Sequence, residues 1–123
     1  MSSLSKVTAK FGTISVKDLD LLTGAVTQLT SITSGVSLLT QAGVITTVSA
    51  TLATQGSASF TVTNPVVSAS TVVLANMSRY TGTGLPLVSV TNTTTGSFTL
   101  TVNNLHTTSA LNAPIKISTL ILN

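Results

Sequence analysis

Ser57-Ala58-Ser59-Phe60-Thr61-Val62-Thr63 decides the fold class. Ala58, Phe60 and Val62 fall on one side of an extended chain. Ser57, Ser59, Thr61 and Thr63 fall on the other. That period of two belongs to a strand with one buried face, and it does not match the 3.6-residue period of a helix. The pattern returns at residues 97–103, where Phe98, Leu100 and Val102 alternate with Ser97, Thr99 and Thr101.

Working outward, the same reading predicts strands over residues 7–16, 26–32, 36–39, 44–52, 71–77, 87–91 and 115–122. In 7–16, Val7, Ala9 and Phe11 alternate with Thr8 and Lys10. In 44–52, Val44, Val48, Ala50 and Leu52 share a side. The run 71–77 is apolar at nearly every position, the signature of a strand buried on both faces. In 115–122, Ile115, Ile117 and Ile121 oppose Lys116 and Ser118. Turn residues separate the runs: Gln55-Gly56, Asn64-Pro65, Thr81-Gly82-Thr83-Gly84-Leu85-Pro86 and Thr95-Gly96. Eight or nine short strands at this spacing predict an all-β fold, an antiparallel jelly-roll-like sandwich. Two stretches echo one another. Residues 56–64 resemble 96–103, their Phe residues lie 38 positions apart, and an apolar strand follows each. Two related halves fit paired Greek keys, and convergent patterning in a biased composition accounts for the echo equally well.

The composition narrows the function. The chain has 123 residues, with five Lys or Arg, two Asp, no Glu, one His and no Cys or Trp; charged residues are 6% of the total. An ordinary domain carries about 25%. Twenty-five Thr and 17 Ser supply the polarity instead. Titratable groups for acid–base catalysis are almost absent, so no enzyme is expected. Without Cys, neither disulfides nor Cys-based zinc sites can form. The length suits one domain with a true core. No apolar run approaches the ~18 residues of a spanning helix, and the first residues hold no apolar stretch of a secretory signal. The net charge of +3 comes from few groups. One Arg, one Tyr and three Phe do not make the clustered cations and stacking aromatics of a nucleic-acid surface.

The charges are unevenly placed. Lys6, Lys10, Lys17, Asp18 and Asp20 lie in the first 20 residues; Arg79, Lys116 and the lone His106 are all that follow. The chain therefore divides into an N-terminal strand or arm, residues 1–24, and a nearly neutral β-domain, residues 25–123. The lysines suit attachment to an acidic partner surface, and an ordinary solvated strand would carry them too. A Thr/Ser exterior lacks the charges that keep strand edges apart, which implies an assembled protein rather than a free monomer.

No catalytic constellation is present. Thr81-Gly82-Thr83-Gly84 lacks the third Gly of a nucleotide loop and reads as a turn. Asp18 and Asp20 are too few for a calcium loop. His106 has no companion ligands in the body, so no metal and no cofactor is expected. Arg79-Tyr80, with Gly82 and Gly84, form one candidate recognition loop; the stretch around His106 forms a second. Arg and Tyr are frequent at recognition surfaces, although the pair could equally close a loop end at the core edge.

From residue 42 to 123 the chain resembles the small β-jelly-roll modules of tailed-phage and large DNA-virus structural proteins: fibre tips, head fibres and capsid decoration proteins. The features that carry the likeness are Ile45-Thr46-Thr47-Val48-Ser49-Ala50-Thr51-Leu52-Ala53, Ala58-Ser59-Phe60-Thr61-Val62-Thr63-Asn64, Ser70-Thr71-Val72-Val73-Leu74, Gly82-Thr83-Gly84-Leu85-Pro86-Leu87-Val88-Ser89-Val90, Gly96-Ser97-Phe98-Thr99 and Ser109-Ala110-Leu111-Asn112. The resemblance implies a homotrimer and a place on the virion surface, against a major capsid or other virion protein, with neither nucleic acid nor membrane as partner. It brings no catalytic residue. No repeat shaft precedes the module, which favours a compact mounted part over a long fibre. The expected function is capsid decoration or a short fibre, attached through Lys6, Lys10 and Lys17. The alternative is a receptor-binding tip for a host glycan or protein.

Overall fold

The computed structural model describes residues 23–49 and 51–123. The predicted strand 7–16, and with it Lys6, Lys10 and Lys17, lies outside the described residues. Eight strands follow in order: β1 (Thr23–Thr27), β2 (Val36–Ser37), β3 (Ala42–Thr46), β4 (Ser57–Thr63), β5 (Val72–Arg79), β6 (Pro86–Thr94), β7 (Ser97–Asn104) and β8 (Lys116–Leu122). They form two four-stranded sheets, β1-β3-β8-β5 and β2-β4-β7-β6. The protein is an all-β sandwich.

The topology follows from a simple path. The first six strands zigzag, odd strands in one sheet and even strands in the other. The β6–β7 hairpin then turns the chain back. β7 inserts between β4 and β6, and β8 between β3 and β5, each antiparallel to both neighbours. No returning strand separates β1 from β3 or β2 from β4, so these pairs are parallel. The expected antiparallel pairing therefore holds among β3, β8 and β5 and among β4, β7 and β6, while β1 and β2 are added in parallel.

The core is the layer between the sheets. Phe60, Val62, Phe98, Leu100 and Val102 point inward from β4 and β7, and Ile45, Ile117 and Ile121 from β3 and β8. All are essentially inaccessible to water, as the alternation predicts. The echoing segments are partners: β4 pairs with β7, Phe60 against Leu100 and Val62 against Phe98. The strands that follow them, β5 and β8, pair in the other sheet.

Three local readings are corrected. First, β3 ends at Thr46; its inward residues are Gly43 and Ile45, with Thr47 buried just after it, not the Val44–Leu52 set. The side chain of Leu38 fills the space above Gly43, lying 2.8 Å from where a Cβ would sit. Second, β5 is not buried on both faces. It is an edge strand, and Val72 and Leu74 are 52% and 51% exposed. Third, the strand placed at 26–32 lies earlier, at Thr23–Thr27. Gln28 ends it: its buried amide donates to the Ile32 and Ser34 carbonyls and accepts from the Val48 N–H, bending the chain away.

The registers also give the sandwich two distinct ends. Thr23, Ala42, Val72 and Leu122 lie at one end of their sheet; Thr27, Thr46, Arg79 and Lys116 lie at the other. The chain preceding β1 therefore joins at the end opposite Arg79.

Candidate functional site

The two candidate loops, far apart in sequence, meet at the Arg79 end. β5 delivers residues 80–85 there, and β7 delivers residues 105–115. Tyr80 and Asn112 clamp the loops together. The Tyr80 hydroxyl donates to the Thr83 carbonyl and accepts from the Asn112 N–H at 3.0 Å. The Asn112 Oδ1 accepts from the Thr83 N–H at 2.7 Å, and the Thr83 hydroxyl donates to the Ala110 carbonyl at 2.7 Å. Tyr80 thus spends its polar atom inside the protein, where it holds a loop rather than offering a contact.

The glycines serve the same clamp. A Cβ on Gly82 would collide with Asn112 Oδ1 and lie 2.6 Å from the Tyr80 hydroxyl. Gly84 has φ of +82°, a conformation that costs L residues about 1–2 kcal/mol, and a Cβ there would lie 2.7 Å from Leu111 Cδ2. The Gly-rich stretch is a packed turn.

Asn104 organises the second loop from beneath. It is 1% exposed. Its Oδ1 accepts from the Leu85 and His106 N–H groups, both at 3.1 Å. Its Nδ2 donates to the carbonyls of Leu52, Ala53 and Ser109. One side chain therefore joins three loops. Asn64 has the same place after β4: its Oδ1 accepts from Val66 and its Nδ2 donates to Thr40. The sequence reading missed both residues. The signal was available, because Asn64 follows and Asn104 ends an echoing Phe-bearing strand, and a buried Asn at a strand end reads as an Asx turn.

His106 has a local role. Its Nδ1 accepts from the Thr108 and Ser109 N–H groups at 3.1 and 2.9 Å, closing the turn 106–109. Among the described residues no group of three or more His, Cys, Asp or Glu side chains comes together.

Beside exposed loop residues such as Thr81 and Thr107, this end presents Arg79, next to Lys116 across the β5–β8 pair, and an apolar group. Leu85 and Leu105 are 53% and 51% exposed and are joined by a backbone hydrogen bond of 2.8 Å. Leu87 continues the group along β6. Arg79 and Lys116 are the only side chains with a formal charge in residues 23–123.

The outer faces of the two sheets differ. The β4–β7–β6 face is a hydroxyl surface, cross-linked by Ser59–Thr101 at 2.8 Å and Thr91–Thr101 at 3.0 Å. The β5–β8–β3 face is apolar toward the Val72 end, where Val72 faces Leu122, Leu74 faces Leu120 and Ala42 lies beyond Leu120 on β3, and polar toward the Arg79 end, where Asn76 faces Ser118 and Thr46 faces Lys116.

No protein-family model matches the chain, and neither does any curated protein or solved structure.

Proposed function

We propose that this protein is a structural component of a virion surface, a capsid decoration or short-fibre subunit mounted through its N-terminal segment and working as a homotrimer. The observation that carries the mounting is the polarity of the sandwich. The lysine-bearing segment joins at Thr23, at one end, and the two loops lie at the other. The body between is nearly uncharged, so attraction to an acidic lattice falls to Lys6, Lys10 and Lys17. The virion setting rests on the jelly-roll resemblance of residues 42–123.

The test is retention on the native particle after changing Lys6, Lys10 and Lys17 together to Ser. Occupancy should fall at least tenfold while the melting temperature of the free protein stays put. Native occupancy would overturn the attachment.

A second reading, a receptor-binding tip, is favoured by one observation: Arg79, Leu85, Leu87 and Leu105 leave a charged and apolar surface at the end away from the mount. A glycan array and a cell-binding assay on the isolated protein test it. Binding lost on Arg79→Ala with the fold intact favours recognition. Tyr80→Ala is unsuitable for this purpose, because Tyr80 holds the loop.

A further inference from the structure

We infer that the apolar half of the outer face of β3, β8 and β5 is covered by residues 1–22 of the same chain, laid across it as an extended segment. The face needs a cover. Val72, Leu74, Leu120 and Leu122 form two directly opposed cross-strand pairs, and Ala42 and Val44 extend them across β3. Of these, Val72, Leu74 and Leu122 are between 43% and 52% exposed. On β5, β8 and β3 the polar outward residues, Asn76, Ser118, Thr46 and Lys116, lie toward the Arg79 end, and the half of the face nearer Val72 is apolar.

Size selects the occupant. Four strands about 4.8 Å apart and five to eight residues long give a face on the order of 400 Å². A stable interface between two copies needs about 800 Å² on each, so the face alone is too small for a second domain. It suits one extended segment. Residues 1–22 join the sheet directly at Thr23 and can reach about 70 Å when extended, against about 15 Å for the width of four strands. Val7, Ala9 and Phe11 alternate with Lys6, Thr8 and Lys10. Laid down, the first set spans about 13 Å and meets β5, β8 and β3 in turn. The backbone N–H and C=O groups of an extended segment point sideways and stay in water, so covering the face strands no buried polar group. The lysines then point outward. The covering does not depend on the virion reading, and the two fail separately, because particle retention is not part of the test below.

The test uses the full chain, whose lack of cysteine makes single-site labelling clean. Leu74→Cys carries a benzophenone maleimide and is photolysed in an equal mixture of ¹⁵N-labelled and unlabelled protein, and the cross-linked peptides are mapped by mass spectrometry. The expected product joins position 74 to residues 1–22, both halves with the same isotope. Four results overturn the inference: cross-links to the body of another copy, cross-links to residues 1–22 with mixed isotopes, no protein cross-link at all, or an equal yield from a probe at Ser59→Cys on the hydroxyl face. If Leu74→Cys does not fold, Leu122→Cys on the same face gives the same readout.

Discussion

Two buried asparagines with unequal duties make a sharp comparison. Asn104 serves five backbone groups in three loops, and Asn64 serves two. A buried group left without its partner costs about 1–3 kcal/mol. Asn104→Ala should therefore destabilise by about 3 kcal/mol, a fall in melting temperature on the order of 10 °C, and Asn64→Ala by roughly half as much. Thermal melts of both variants check this, and equal losses would mean that the loops at the Arg79 end are held by something other than Asn104. Glycine gives a second contrast. Gly84 and Gly96 share a positive φ, +82° and +86°, yet a Cβ on Gly96 meets nothing within 4 Å while one on Gly84 runs into Leu111. Gly96→Ala should cost about 1 kcal/mol, the conformational penalty alone. Gly84→Ala should cost about 2 kcal/mol more, since inserting a group into a packed site adds about 1–3 kcal/mol. Urea titrations separate the two contributions.

At the scale of the strand, period-two alternation is worth most where hydrogen-bonded partners lie on both sides. β4 and β7 are such strands, and their inward apolar residues were legible from sequence. Phe98→Ala should cost about 4 kcal/mol, while Thr99→Ala, one residue on and facing out, should change stability by less than about 0.5 kcal/mol. Chemical denaturation of the pair measures how firmly the register holds. Elsewhere the sequence was ambiguous for physical reasons. In β3 and just after it the inward positions include Gly43 and Thr47, so the apolar residues mark the wrong side; Leu38, from another segment, supplies the missing bulk. In β5 an apolar outer face looks the same in sequence whether a layer covers it or not. The turn at Thr81–Pro86 was legible as punctuation, though Pro86 itself begins β6. The convergence of the two candidate loops was not legible, since it depends on which sheet each strand joins. Nor was the inward use of Tyr80, because a tyrosine that clamps and one that recognises differ only in what its hydroxyl meets.

For the molecule as a whole, charge and stability are separable. The sandwich is held by a dry apolar core and hydrogen-bonded loops, and residues 23–123 carry two formal charges, both cationic, at one end. The three lysines proposed for attachment belong to the other part of the chain. Interactions among exposed charges weaken as the screening length falls from about 10 Å at 0.1 M salt to about 3 Å at 1 M. Raising sodium chloride over that range should therefore strip the protein from its particle while leaving its melting temperature within a few degrees. The Lys6, Lys10 and Lys17 triple variant, already weakly held, should lose its remaining salt response. Sedimentation of particles across a salt series, read beside thermal melts of the free protein, tests both halves. If retention is indifferent to salt, the three lysines are not the mount. If melting temperature and retention fall together, attachment depends on the fold of the body rather than on the charge of the segment that leads into it.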